Sequence, residues 1–167
     1  MRKIHLLKAI LDYAWFVTAI FIPCILIFIP LLFIYDFGGL ELIISDVSLS
    51  NTSFFGKILI TLTLLSFLLL AYSLFLFRKI VHYFIRLKIF DTYVIDSFRK
   101  TGNLLIISGL LSFITSVVSK VYFHQKVQLE IGISEHLVIL CLGLFFLILS
   151  EIFTLAKHAK DENELTV

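Results

Sequence analysis

The chain has 167 residues, of which 60% are hydrophobic, 15% aromatic and only 16% charged, a balance outside ordinary globular usage. A soluble domain could not cover that much apolar surface with so few charges, so the composition excludes a water-soluble globule and turns the side chains toward lipid. The net charge of +2 matters less than where the charges fall, and no direct nucleic-acid binding is expected.

The first apolar run, Trp15 to Ile34, follows Arg2, Lys3 and Lys8. It exceeds a secretory h-region and no small-residue cleavage site follows it, so it reads as a retained first helix. Pro23 and Pro30 fall on roughly one face and predict a kink. After the turn signal Gly38-Gly39, the segment from Leu40 to Leu49 is rich in Ile, Leu, Val and Ser and carries a strand-like pattern. Asn51-Thr52-Ser53 fits a glycosylation sequon, a frequent chance match.

The second run is Ile58 to Phe77. The connection that follows interleaves Arg78, Lys79, His82, Arg86 and Lys88 with Ile80, Val81, Tyr83, Phe84, Ile85 and Leu87. With no breaker present, the second helix is expected to continue past the membrane surface to about Leu87, its basic side chains facing anionic headgroups. Asp91 suits an N-cap, and Val94, Ile95 and Phe98 form an apolar stripe after it. Residues 78–100 therefore read as a helical hairpin that runs into the third span.

That third span takes in Thr101, Gly102 and Asn103 and the apolar run Leu104 to Ser119. Ser108, Ser112 and Ser116 recur every four residues, with Gly109 nearby, and predict a face for close helix packing. Beyond it, Val121, Phe123, Val127, Leu129, Ile131 and Ile133 alternate with polar residues, the period of a half-buried strand. Paired with Leu40–Leu49, this segment predicts a small extracytoplasmic β cap. The fourth run is Leu137 to Ala156, and residues 157–167 form a polar tail. Glu151, near the inner interface, is expected to reach water or Lys157.

Spans at about 15–34, 58–77, 101–119 and 137–156 match roughly 30 Å of hydrocarbon at about 1.5 Å per residue. The fold expected is an all-α membrane protein, a four-transmembrane-helix bundle forming one domain. Eleven of the fourteen Lys and Arg residues lie in the N-terminus, the 78–100 connection and the tail; the others are Lys57, Lys120 and Lys126. That bias puts both termini in the cytoplasm.

Chemical signatures are missing from the sequence: it has no phosphate-cradling glycine loop, no zinc-spaced Cys/His set and no nucleophile elbow. Cys24 and Cys141 lie in apolar runs at different depths and read as free thiols. His5, His82, His124, His136 and His158 are scattered. No cofactor, metal site or enzymatic activity is expected.

Two stretches carry a resemblance. The tail, with Glu151-Ile152-Phe153, Lys157-His158-Ala159 and Glu162-Asn163-Glu164-Leu165-Thr166-Val167, resembles the ending of a bacterial four-span membrane family catalogued as domain of unknown function 2975. Lys88-Ile89-Phe90-Asp91 and Phe98-Arg99-Lys100-Thr101-Gly102 stand where that family has a Lys-x-Phe, a cap, a short helix and a closing Gly. Asp91 stands where Ser is common, and Glu164 where Asp is frequent. The resemblance implies four spans in a bacterial inner membrane and, often, a neighbouring gene for a small helix-turn-helix regulator. From this follows the expectation of a membrane partner or sensor for such a regulator, docked on Phe90, Asp91, Phe98, Arg99, Glu162, Asn163, Glu164 and Leu165. The alternative is a subunit of a small transporter or channel, with the serine face lining a path. The lipid bilayer and a second copy of the chain complete the expected partners.

Overall fold

In lipid, backbone groups find no water, so apolar segments satisfy them internally as helices. The computed structural model describes residues 2–35, 43–44, 47–48, 53–86, 90–124 and 134–165. It contains four long helices: α1 (Arg2–Ile34), α2 (Phe54–Ile85), α3 (Thr92–Ser119) and α4 (Glu135–Leu165). Each is long and apolar enough to cross a bilayer. The protein is an all-α four-helix bundle. At 28 to 33 residues the helices also exceed the roughly 20 residues a span needs.

Three helix starts are capped. Gly56 N–H donates to Ser53 Oγ (3.3 Å), Tyr93 N–H to Asp91 Oδ1 (2.9 Å) and Leu137 N–H to Ser134 Oγ (3.3 Å). Each bond satisfies a donor that the first turn leaves without an intrahelical partner. Asp91 thus caps α3 as its position suggests. Helix α2 ends at Ile85 with Arg86 as its cap, so the described helix stops short of Leu87, which lies outside the described residues.

The connections between α1 and α2 and between α3 and α4 differ in their described parts from the expected cap. Ile43–Ile44 and Val47–Ser48 pair with each other as a short antiparallel hairpin. Lys120–His124, which takes in Val121 to His124 of the expected strand, instead extends α3 as a wide π-type turn. No Pro or Gly interrupts the chain there, and Tyr122 packs its ring 4.8 Å from that of Phe55 at the start of α2. The remainder of the expected strand, 125–133, lies outside the described residues.

Helix α3 is the central element, packed against both α2 and α4, whereas α1 packs on α2. Ser108 Oγ donates to the Ser66 carbonyl of α2 at 2.9 Å. Seven-residue steps in opposite directions from that contact set Ser73 level with Thr101, Ile80 with Val94, and Leu59 with Thr115. All eight residues are buried. This is the 3.5-residue period of two helices kept in register along a seam.

A second line on α3, one residue over, faces α4. Ser150 Oγ donates to the Ile95 carbonyl at 3.1 Å. A Cβ placed on Gly102 would meet the Gly143 carbonyl oxygen at 2.8 Å, and one on Gly143 would meet Ile106 Cγ1 at 2.8 Å and the Gly102 oxygen at 3.0 Å. The two glycines therefore let the α3 and α4 backbones touch. The packing period of α3 is seven rather than four. Each four-residue step rotates about 40°, so Ser108 lies in the α2 seam while Ser112 and Ser116 turn out of it and are half-buried.

Thr101 stands out among the helix threonines. Thr18, Thr61, Thr63, Thr115 and Thr154 each donate to the carbonyl four residues back. The Thr101 hydroxyl, in a residue 1% exposed, has no protein partner. Three substitutions separate these effects when unfolding is followed in mixed micelles. Gly143→Ala is expected to destabilise by about 1–3 kcal/mol, because the added methyl meets backbone on the facing helix. Ser108→Ala should cost about 0.6 kcal/mol for its interhelical bond. Thr101→Val, of similar shape, should be neutral or stabilising, since it removes an unpartnered buried hydroxyl.

Candidate functional site

The end of the bundle that holds the chain's N-terminus, the 86–91 connection and the tail gathers most of the side chains singled out in the sequence. Its core is aromatic. Phe98, at 2% exposure, lies with Ile80, Val94, Leu105 and Phe146. Its ring stacks on Phe153 at 5.4 Å and 11° and on Phe146 at 5.8 Å. Phe84 packs on both Phe98 and Phe153, and Tyr83 stacks on Tyr93 at 4.8 Å. Helices α2, α3 and α4 thus converge on one cluster, which edge-to-face and offset ring contacts strengthen beyond area burial alone.

Polar contacts then fasten the last turns of α4, residues 153–165, here the α4 extension, to the start of α3. Lys157 Nζ donates to Thr92 Oγ1 at 2.7 Å, and the Lys160 ammonium lies 5.9 Å from the Phe90 ring centroid. Phe90 also packs on Phe153 at 6.3 Å. Lys157 therefore serves α3 rather than pairing with Glu151, which sits on the exposed side of α4.

The eight residues expected to form a docking surface separate on this framework. Phe98 belongs to the core and cannot meet a partner; its apolar stripe was legible, but the stripe faces α2 and α4 instead of solvent. Asp91 is exposed in part, and its carboxylate caps α3. Phe90 is 38% exposed and lies beside the tail. Glu162 and Asn163 are exposed near the end of α4. Glu164 and Leu165 lie within the helix, and their side chains are outside the description. Arg99 is exposed on a different line of α3, with Lys100 and Asn103.

One pair escaped the sequence reading. Asp12 of α1 accepts a hydrogen bond from Arg78 Nε of α2, forming an ion pair with both side chains about one-third exposed. Trp15 packs on Phe75 one turn along, with ring centroids 4.9 Å apart. The available signal was an Asp among apolar residues just ahead of the first run. It went unused because Asp12 lies outside that run and Arg78 was counted with the positive flanks.

Among the described residues, no three His, Cys, Asp or Glu side chains gather in a way that could hold a metal ion. Cys24 and Cys141 are free and exposed on the helix surfaces. Ser108 is committed to an interhelical hydrogen bond.

Compared with known proteins, residues 5–167 match the model of a family described as protein of unknown function (DUF2975). The chain belongs to this family. Among curated proteins and among solved structures, nothing matches. The match covers all four helices, so the aromatic cluster and the fastened α4 extension lie inside the DUF2975 unit.

The Asp12–Arg78 pair joins α1 to the rest of the bundle and can be tested by a double-mutant cycle. Asp12→Asn and Arg78→Gln are each expected to lower stability in mixed micelles by about 1 kcal/mol. The double variant should cost less than the sum of the two, a coupling read directly from the unfolding midpoints.

Proposed function

We propose that this DUF2975 protein is a membrane-held docking partner for a soluble helix-turn-helix regulator, and that the end bearing both termini faces the cytoplasm across a bacterial inner membrane. The orientation follows from the Lys and Arg residues concentrated at that end, which resist translocation.

The observation that carries the docking reading is the fastened α4 extension. Its Phe153 stacks on Phe98, its Lys157 bonds to Thr92, and its Lys160 lies over Phe90, while Asp161, Glu162 and Asn163 are exposed beyond them. A helix supported this way presents acidic groups in a fixed geometry, so a partner does not have to order a loose tail before binding. The partner's chemistry follows from the charge. A DNA-binding regulator carries a basic surface that meets phosphates, and Asp161 and Glu162 offer that surface competing carboxylates. Phe90 supplies an adjoining apolar contact. Phe98 and Asp91 support this surface from beneath, and Arg99 lies apart from it.

The reading predicts that the regulator co-purifies with the full-length protein and that the complex weakens as salt rises, because exposed charges are screened. Truncation after Lys160 should abolish capture while leaving the bundle folded. Absence of association with both forms would overturn the proposal, as would equal association with both.

A further inference from the structure

Helix α3, although central, keeps one side uncovered. Asp96, Arg99, Lys100 and Asn103 are exposed where α3 enters the apolar region, and the same line continues through Ile107, Leu110, Ile114 and Val117, all exposed. At about 100° per residue these eight positions occupy one face. The two seams that bind α2 and α4 lie on the rest of the helix. The face thus changes from cationic to amide to aliphatic within about three turns.

We propose that this face binds one anionic phospholipid, with Arg99 and Lys100 on the headgroup phosphate, Asn103 donating below them, and an acyl chain along Ile107 and Leu110. Three observations support that occupant. Neither Arg99 nor Lys100 makes an ion pair or hydrogen bond among the described residues, in contrast to Arg78 and Lys157, which are engaged inside the protein. Their charge therefore remains to attract a phosphate, and the Arg fork suits one bidentately. The aliphatic stretch is continuous with the cations. From Asn103 it reaches the roughly 15 Å depth of one leaflet by about the level of Phe113, which suits a lipid and not a soluble phosphate. Finally, the position is right: Arg99 and Lys100 adjoin the first residues of the third apolar run, where headgroup phosphates lie.

Asp96 is the one carboxylate on this line. It sits a turn farther from the apolar stretch, where it repels a phosphate and leaves the membrane side of the cations as the favourable position. The site is independent of the regulator reading, because it uses neither Phe90 nor the tail.

Purified full-length protein is mixed in detergent with equimolar phosphatidylglycerol and phosphatidylcholine of identical chains, and retained lipid is counted by native mass spectrometry. Phosphatidylglycerol should be retained preferentially. Arg99→Gln and Lys100→Gln should each lower its affinity about fivefold, Asp96→Asn should raise it, and the charge-preserving pair Arg99→Lys with Lys100→Arg should hold most of it. Arg86→Gln removes an exposed cation elsewhere at the same end and should leave retention unchanged. The proposal is overturned if the Arg99→Gln/Lys100→Gln protein retains phosphatidylglycerol like the parent, if Arg86→Gln loses as much, or if inorganic phosphate alone displaces the lipid at equal concentration.

Discussion

Lipid tails are as apolar as leucine, so burying apolar side chains between helices gains little in a membrane, and association must come from close packing and polar contacts. In this protein both are concentrated on α3. Its two seams, one through Val94, Thr101, Ser108 and Thr115 and the other through Ile95, Gly102 and Gly109, lie a single residue apart. That offset is about 100° of rotation, enough to place α2 and α4 on adjoining sides of one helix. Small residues in both lines let the neighbouring backbones approach. The extensive exposed apolar surface of α1 and α4 is the complement of this arrangement: with α3 organising the bundle, the outer helices need only one packed side each and give the rest to lipid.

Register set in the middle of the bundle reaches its end. Fixing Gly102 against Gly143 fixes Ile95 beside Ser150, seven residues along each helix, and holds Phe98, which lies between those two contacts on α3, against Phe153 one turn beyond Ser150 on α4. A rigid rod transmits position well. The place of Asp161 and Glu162 is therefore determined by a backbone contact many turns away, and a methyl group at Gly143 would disturb the tail as well as the crossing. Helix α1, attached through α2 by Asp12–Arg78 and the Trp15–Phe75 contact, is outside this chain of constraint.

Four spans were legible because length and hydropathy alone decide them, and the Asp91 cap was legible because capping is local. What lay beyond reach depends on pairs far apart in the chain. Gly102 reads alone as the close of a loop motif; its packing role exists only with Gly143 opposite. Ser108, Ser112 and Ser116 suggested a four-residue line, but the facing helix selects a seven-residue one and takes Thr101 and Thr115 in their place. Phe98 illustrates the commonest ambiguity: an apolar stripe says that something covers it, not whether that is a neighbour in the bundle or a visitor. The alternation at Val121 to His124 misled for a different reason, since alternation is weak evidence where nothing stops a preceding helix from continuing.

The basic residues at the bundle's end have been counted together as an orientation signal, yet they divide by what they touch. Arg78 neutralises Asp12, while Lys157 and Lys160 hold the α4 extension to Thr92 and Phe90. Arg99 and Lys100 remain exposed at the start of the third apolar run, and Asp161 and Glu162 are exposed near the end of α4. The result is a basic collar beneath an acidic end. Asp161 lies eleven residues beyond Ser150 on α4 and Arg99 four residues to the other side of Ile95 on α3, so about 22 Å along the helices separates the acidic end from the collar, well over a Debye length of about 8 Å. Phosphates drawn to Arg99 and Lys100 at the proposed lipid site therefore leave the field at the end of α4 essentially unchanged, and the two proposed contacts, lipid and regulator, are electrostatically independent.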